Sequence, residues 1–292
     1  LHCNSNQLAE LDVSKNTALE TLWCGVNQLA ELDITKNTAL TDLGCYTNQL
    51  TELDVTNNTA LTDLSCSSNQ LTELDVSKNT ALETLWCAEN QLTELDVTNN
   101  TALTSLGCYT NQLTELDVSK NTALETLWFA KNQLAELDVT NNTALTSLSC
   151  DENQLTELDV SKHTALTYLN CWRNRLTTLD LSNNSLLKVD DWQIDQQFTE
   201  AAMTRHSDMC FTLDFNTLVG PENLSRVALA DYMTQYGGSY DASTGIATFT
   251  SAPKQIQYNY DTSCPETQAL MSVYVNVTVE SSDCPHETTT LT

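Results

Sequence analysis

The chain has 292 residues, 40% of them hydrophobic, which is enough to bury a sizeable core without metals or disulfides. Its formal net charge of -27, from 39 acidic and 12 basic residues, excludes nucleic acid and anionic membranes as partners, because both would be repelled. No stretch approaches the roughly 18 apolar residues of a transmembrane helix, so no membrane span is predicted.

The first two thirds of the chain repeat with a period of 21 residues. Eight full copies of the phrase LxxLxCxxNQLxELDVxxNTA run from Leu19 to Leu186, after a partial copy over residues 1–18. A repeat of this kind cannot bury its Leu side chains alone, whereas stacked copies share one core and pair their strands in parallel. The sequence therefore predicts a leucine-rich-repeat solenoid over residues 1–190.

Each repeat divides into two similar halves, LxxLxCxxN and xLxxLDVxxN. Apolar and polar positions alternate in both halves, which is typical of strands, so we expect two short parallel strands per turn. The Asn that closes the first half should turn inward and bind backbone groups of its loop. This row comprises Asn6, Asn27, Asn48, Asn69, Asn90, Asn111, Asn132, Asn153 and Asn174.

Eight of the 11 cysteines form a ladder in a slot that leucine-rich repeats usually fill with Leu. They are Cys3, Cys24, Cys45, Cys66, Cys87, Cys108, Cys150 and Cys171. Phe129 takes the slot in the sixth full repeat, so the position requires an apolar side chain. Parallel Cβ vectors in an in-register ladder also suit disulfides poorly. We therefore predict buried free thiols rather than metal or redox sites.

The phrase LETLWCAENQLTELDVTNNTALTSLGCYTNQLTELDV, residues 82–118, resembles the repeats of internalin-J-like bacterial surface proteins, in which Cys also replaces a core Leu. The resemblance covers about residues 1–189. It implies an exported, cell-surface protein in which immunoglobulin-like or related β modules follow the repeats, with adhesion or host contact as the role. Because the chain opens at Leu1 rather than Met, we expect a mature or trimmed fragment.

The first half of the repeat varies between copies, whereas the second half stays close to ELDVxxNTA. Trp86, Tyr109 and Trp128 point outward on three successive turns and should form an aromatic patch, which suits stacking on sugars or anchoring a protein. Alternatively, the rings cover each other along the sheet, with Gly44 and Gly107 leaving room.

Charged residues of both signs follow this patch, which favours a protein partner over a plain glycan, although ordinary solvated charge is the alternative. The candidate ligand-binding residues are Trp23, Tyr46, Trp86, Tyr109, Trp128, Glu89, Lys131, Asp151, Arg173 and Trp172.

The second half of the repeat stacks rows of Asp and Glu, which include Asp75 and Asp96. Divalent cations bridging these regularly spaced carboxylates are one hypothesis. However, the chain has no 12-residue calcium loop, and lysines such as Lys78 partly offset the acidic charge. We assign no metal site and no cofactor.

Periodicity ends after Leu187, and residues 189–197 should close the solenoid with Trp192 and Ile194. Residues 210–215, 245–251, 256–260 and 272–280 alternate like half-buried strands. We expect a small antiparallel, immunoglobulin-like β-sandwich over residues 191–292. Residues 223–236 fit a helix by their period, but the alternation of Val227 and Leu229 favours a strand. Cys264 and Cys284 are either disulfide-bonded or free.

The four histidines, at 2, 163, 206 and 286, lie beside no plausible nucleophile and base. The run His206 to Cys210 cannot converge on one reacting atom, because adjacent residues on a strand point apart. We therefore expect a non-catalytic, monomeric, secreted or cell-surface binding and adhesion protein that recognises a protein. A carbohydrate-binding component of a surface glycan-handling system and a structural spacer are the alternatives.

Overall fold

The computed structural model describes residues 1–188, 194–206, 210–265 and 269–281. Residues 1–188 form a leucine-rich-repeat solenoid, and one three-residue strand from each full turn joins a parallel sheet. The strands are β1 Thr21–Trp23, β2 Asp42–Gly44, β3 Asp63–Ser65, β4 Thr84–Trp86, β5 Ser105–Gly107, β6 Thr126–Trp128, β7 Ser147–Ser149 and β8 Tyr168–Asn170. Residues 21 apart lie side by side, as Leu22 does with Leu43.

Only one of the two strands expected in each turn is formed. The ELDV half carries no strand in the described residues of the solenoid. Its Asp explains why: the carboxylate of Asp33 accepts the backbone N–H of Thr35 at 3.0 Å, and the N–H of Asn37 then binds the carbonyl of Ile34. These bonds turn the chain directly after Ile34, before an extended segment can pair with its neighbours.

The core of the solenoid is built from the Leu positions, the Cys ladder and the Val or Ile of each ELDV half. Leu22, Cys24, Leu29 and Ile34 are all fully buried in the first full turn. Phe129 is buried in the ladder slot. The ladder cysteines are free, and all but the half-buried Cys3 at the first turn are buried. The prediction of buried free thiols is confirmed.

The Asn row that closes the first half points inward, as the sequence predicts. Asn27 Nδ2 donates to the carbonyls of Cys3 and Cys24, at 3.0 and 2.8 Å, while its Oδ1 accepts the N–H of Leu8 at 3.1 Å. The residue before each Asn has a left-handed backbone, for example Val26 with φ 55°. The hydrogen bonds of the Asn side-chain amides stabilise these turns and so offset the cost of the left-handed backbone.

A second Asn row, which closes the ELDV half, is buried from Asn37 onward. Asn58 Nδ2 donates to the carbonyls of Ile34 and Asn37, at 3.1 and 2.8 Å, and the same pattern recurs along the row. His163 replaces Asn at one turn and is also fully buried. Its Nε2 lies 3.1 Å from the carbonyl of Val139.

The C-terminal region forms one seven-stranded sheet of order β11-β14-β15-β9-β10-β13-β12. The strands are β9 Gln197–Arg205, β10 Phe211–Asp214, β11 Val227–Leu229, β12 Ser239–Asp241, β13 Ile246–Phe249, β14 Gln255–Asp261 and β15 Leu270–Ser281. The four strands expected from the sequence correspond to β10, β13, β14 and β15. The core of this region includes Phe215, whose ring packs edge-on against Tyr240 and Tyr258.

The immunoglobulin-like antiparallel sandwich is not confirmed. β9 pairs with β15 in parallel, so the sheet is mixed and continuous. Residues 223–236 are mostly not a strand. β11 is short and lies between the 3₁₀ helices Pro221–Arg226 and Asp231–Tyr236. The short helix α1 Asn216–Val219 comes before the first of these 3₁₀ helices. Pro221 favours the first 3₁₀ helix because its fixed φ suits a helix start.

Ile194 is buried at the end of the solenoid, as expected for a cap residue. Trp192 and Cys284 lie outside the described residues, as do residues 207–209 of the run that ends at Cys210. Within the described segments, no helix has the length and hydropathy needed to cross a membrane.

Candidate functional site

Side chains on the solvent side of the parallel sheet stack in columns because the strands are in register. One column ends the strands and consists of Trp23, Gly44, Ser65, Trp86, Gly107, Trp128, Ser149 and Asn170. A second column lies two residues further along each turn and consists of Gly25, Tyr46, Ser67, Ala88, Tyr109, Ala130, Asp151 and Trp172. These two columns are the aromatic face.

The indole rings of the first column lie over glycines on the next turn. A Cβ built on Gly44 would lie 2.8 Å from Trp23 Cε3, and one built on Gly107 would lie 2.1 Å from Trp86 Cε3. The Trp86 ring then meets the Trp128 ring edge-on, with centroids 5.4 Å apart and planes at 72°. The two glycines do leave room for neighbouring rings, and Trp86 and Trp128 form a continuous aromatic surface.

Trp128 differs from the other two tryptophans because Ser149, not Gly, follows it on the next turn. Its Nε1 donates to Ser147 Oγ at 2.9 Å, and 36% of its surface is exposed. The ring is therefore held in place from two sides, by this hydrogen bond and by Trp86, while a large part of it faces solvent.

A shallow groove of about 300 Å³ lies directly beside the Trp128 ring. Its aromatic walls come from Tyr109, Trp128 and Tyr168. Its lining residues are Tyr109, Trp128, Ala130, Ser149, Asp151, Tyr168 and Asn170.

Asp151 lies in this groove and is only 9% exposed, although its position in the second column suggests a solvated charge. Its Oδ1 accepts hydrogen bonds from Ser149 Oγ at 2.7 Å and Asn170 Nδ2 at 2.9 Å. These neighbours on both sides draw the side chain down onto the sheet. Burial raises the pKa of the Asp151 carboxyl above its ordinary value.

A charged rim adjoins the groove. Glu152 lies 3.6 Å from Lys131 Nζ and 3.7 Å from the Arg173 guanidinium, which itself stacks 4.2 Å from the Trp172 ring centroid. The two basic side chains are about half exposed, so these ion pairs add little stability. They do mean that the cationic groups of Lys131 and Arg173 are both already paired with the carboxylate of Glu152.

The other candidates lie apart from the groove. Trp23 stacks with His2 at the first turns, with centroids 6.5 Å apart, and Tyr46 lies over Gly25. Glu89 accepts a hydrogen bond from Ser68 Oγ at 2.7 Å. The structure therefore brings together Trp86, Tyr109, Trp128 and Asp151, with Lys131, Trp172 and Arg173 at the rim, and leaves Trp23, Tyr46 and Glu89 outside.

Sequence reasoning missed Tyr168, Ser149 and Asn170 as groove residues. Tyr168 stands where the other full turns have Thr, Asp or Ser. This departure from the repeat was a usable signal, since a large aromatic replaces a small polar side chain beside the variable columns.

The acidic rows of the ELDV half line a longer depression of about 1190 Å³. The Asp carboxylates are engaged by their own turns: Asp96 Oδ1 accepts the N–H and the hydroxyl of Thr98, at 2.9 and 2.6 Å. These hydrogen bonds lower the pKa of Asp96. In the part of the chain that the structure describes, no three His, Cys, Asp or Glu side chains converge to hold a metal ion. Cation bridging therefore stays a hypothesis.

The sequence matches no protein-family model and no curated protein. Among solved structures, the functional domain of InlJ from Listeria monocytogenes, which includes a cysteine ladder, is 31% identical with a TM-score of 0.71, over 93% of this chain and 65% of that chain. The internalin InlF from Listeria monocytogenes is 27% identical with a TM-score of 0.60, over 62% of this chain and 57% of that chain.

InlP from Listeria monocytogenes shares the fold at 20% identity, with a TM-score of 0.60 over 92% of this chain and 90% of its own. The chain spans about two thirds or less of the InlJ and InlF structures, at 65% and 57%. The InlJ ladder corresponds to the buried cysteines spaced 21 residues apart here. The chain is therefore a leucine-rich-repeat protein with 21-residue cysteine-ladder repeats, and it resembles internalin J.

Proposed function

We propose that this chain is a non-catalytic, secreted or cell-surface binding and adhesion protein that recognises a protein partner through its aromatic face. The observation that carries the proposal is Trp128, which is 36% exposed yet held by Trp86 and Ser147. An aromatic side chain that is ordered before binding loses little conformational entropy on contact, which is the property of a strong interface anchor.

The surroundings of Trp128 support a protein ligand. Tyr109 extends the aromatic surface, and the rim of Lys131, Glu152 and Arg173 carries both signs of charge. Apolar anchors ringed by mixed charge are typical of protein interfaces. The internalin-like fold, which commonly mediates protein interaction or adhesion, points the same way. The net charge of -27 opposes nucleic acid as a partner.

The positions of the histidines support a non-catalytic role. His163 is buried in the solenoid core, His2 stacks on Trp23 at the first turn, and His206 binds Thr212 on the C-terminal sheet. The three imidazoles belong to separate parts of the molecule, so they cannot act on one substrate.

The proposal assigns different roles to two domains. The solenoid, residues 1–190, presents the aromatic face, and residues 191–292 form a C-terminal β domain that covers the end of its core. We propose that the chain acts as a monomer, since the residues that carry the proposal all belong to one solenoid.

A carbohydrate-binding component is the second candidate, and the groove is the reason. It combines a partly exposed indole with hydroxyl, amide and carboxylate groups from Ser149, Asn170 and Asp151. Stacking of a sugar ring on Trp128 with hydroxyls toward these groups would use the same surface.

The test uses the full chain immobilised as bait, with a library of secreted and cell-surface proteins and a glycan array offered in parallel. The variant is Trp86→Ala with Trp128→Ala, and its matched control is Glu94→Gln with Glu115→Gln on the acidic rows. We expect the aromatic variant to lose at least about tenfold in affinity for the captured protein while it stays folded at the assay temperature, as checked by circular dichroism. The control should bind like the parent chain.

Two results would contradict the proposal. Binding that survives in the aromatic variant while its melting temperature falls would make the rings structural. Binding of neutral glycans with no protein captured would favour the carbohydrate candidate instead.

A further inference from the structure

We propose that the groove formed by Tyr109, Trp128, Tyr168 and Asp151 receives a cationic side chain, lysine or arginine, from the protein partner. This inference rests on the proposed function, since it names the chemistry that the aromatic face recognises.

The first argument is the state of Asp151. The side chain is nine-tenths buried, and both of its hydrogen bonds reach Oδ1 from neutral donors, Ser149 Oγ and Asn170 Nδ2. Neutral donors reduce the cost of burying a carboxylate but do not cancel its charge. Buried carboxylates are generally paired with a cation, because the desolvation cost is otherwise uncompensated. Among the described residues, no side chain donates a hydrogen bond to Oδ2.

The second argument is that the nearby cations are committed elsewhere. Lys131 and Arg173 both pair with Glu152 on the rim, at 3.6 and 3.7 Å, and Arg173 also stacks on Trp172. Among the described residues, none forms an ion pair with Asp151. Lys131 acts on Asp151 only from a distance while it pairs with Glu152, so a cation in direct contact with this carboxylate has to come from outside the chain.

The third argument is the aromatic wall. Trp128, Tyr109 and Tyr168 line the same groove, and the faces of such rings attract ammonium and guanidinium groups. The indole N–H of Trp128 is already donated to Ser147, so the ring offers its apolar and π surface rather than a donor. A volume of about 300 Å³ accommodates one long side chain.

The same contacts argue against a neutral sugar as the preferred occupant. The Ser149 hydroxyl and the Asn170 amide are both donated to Asp151, and Asn170 Oδ1 accepts the backbone N–H of Trp172 at 3.3 Å. The groove therefore presents negative charge and aromatic surface, while the polar groups that a sugar hydroxyl would need are largely occupied. An anionic ligand is excluded by the carboxylate itself.

The experiment titrates the full chain with Nα-acetyl-arginine amide and Nα-acetyl-lysine amide, followed by NMR chemical shifts. Nα-acetyl-citrulline amide is the neutral control of nearly the same shape as the arginine probe, and methyl hexosides test the sugar alternative. We expect the cationic probes to bind at least about tenfold more tightly than citrulline, and their affinity to fall as salt rises.

Two isosteric variants distinguish binding of the probes in the groove from a general attraction by the negative surface charge. Asp151→Asn should weaken the cationic probes by about tenfold and raise the melting temperature, because a buried charge is removed. Glu94→Gln makes the same change in net charge on the acidic rows, away from the groove, and should leave probe binding within about twofold. Tyr168→Ala gives a second, independent weakening of probe binding should Asp151→Asn not fold.

The inference is overturned if citrulline binds as well as arginine, if hexosides bind and the cations do not, or if none of the probes binds the parent chain. The proposed function fails separately. Suppose that a captured protein partner no longer binds the Trp86→Ala and Trp128→Ala variant but still binds Asp151→Asn. That result would support protein recognition by the aromatic face and would contradict the cationic side chain in the groove.

Discussion

Gln197 binds the carbonyl of Cys171 as Asn174 binds that of Cys150, with amide nitrogen to oxygen distances of 2.9 and 3.0 Å. The other end of the amide matches as well, since the N–H of Leu176 donates to Gln197 Oε1 at 3.2 Å. The Asn row that closes the first half of each repeat thus continues into Gln197, the first residue of β9, which carries the same amide on a side chain one methylene longer. The C-terminal sheet is docked as the next turn of the solenoid.

Gln197→Ala should lower the free energy of unfolding by about 1–3 kcal/mol, because it leaves the N–H of Leu176 buried without a partner and removes one of the two amide donors to the carbonyl of Cys171. Urea titration followed by circular dichroism measures this. Gln255→Ala is the control, since its amide binds Asn276 at an exposed site, and its effect should stay within about 0.5 kcal/mol. Equal effects of the two substitutions would show that the ladder bond is not what joins the two regions.

Gly107→Ala should displace Trp86, because the added Cβ would lie 2.1 Å from Cε3 of its ring. We expect a loss of about 1–3 kcal/mol in stability and a change in the near-ultraviolet circular dichroism of the Trp86 and Trp128 pair. Gly25→Ala is the matched control: its Cβ meets the outer part of the Tyr46 ring, which can swing into solvent, so the tryptophan signal should persist. An unchanged tryptophan signal in Gly107→Ala would contradict the packing described above.

The ladder thiols should resist alkylation in the native chain. Burial raises the pKa of Cys108 and Cys171 to about 12 from an ordinary value of 9.0, so little thiolate forms until the pH approaches 12. Iodoacetamide at pH 7 and at pH 9, followed by peptide mapping, should leave both unmodified at either pH and label them only after denaturation. Cys3 at the open first turn is the internal control and should react first. Native labelling of Cys108 at pH 9 is the contrary result.

His163→Asn should stabilise the solenoid by about 1 kcal/mol. Asn at this position in neighbouring turns donates two buried hydrogen bonds, as Asn142 does to Val118 and Asn121. His163 instead makes one such contact, from Nε2 to the Val139 carbonyl, while its buried Nδ1 has no hydrogen-bond partner among the described residues, like Oδ1 of Asn142. The reverse change one turn earlier, Asn142→His, is the matched control and should destabilise. Melting temperatures that move in the same direction in both variants would refute this explanation.

The repeat pattern by itself determined the solenoid, the burial of the cysteines and the inward direction of the Asn row that closes the first half of each repeat. These features depend on contacts between identical positions in adjacent turns, and 21-residue periodicity specifies those contacts directly. Phe129 in the ladder was sufficient to show that the slot is apolar. The second strand per turn was wrongly predicted, because the bond from Thr35 to Asp33 turns the chain and local alternation does not reveal it.

Tertiary structure decided the rest. β9 was not predicted from the sequence, because its stabilising pairing is with β15, more than 60 residues away, and its Glu200 and Ala202 are weak strand formers. Asp151 appeared to be a surface charge, yet Ser149 and Asn170 bury it. The groove combines side chains from turns that begin tens of residues apart, so its shape and its buried carboxylate arise only when those turns are stacked.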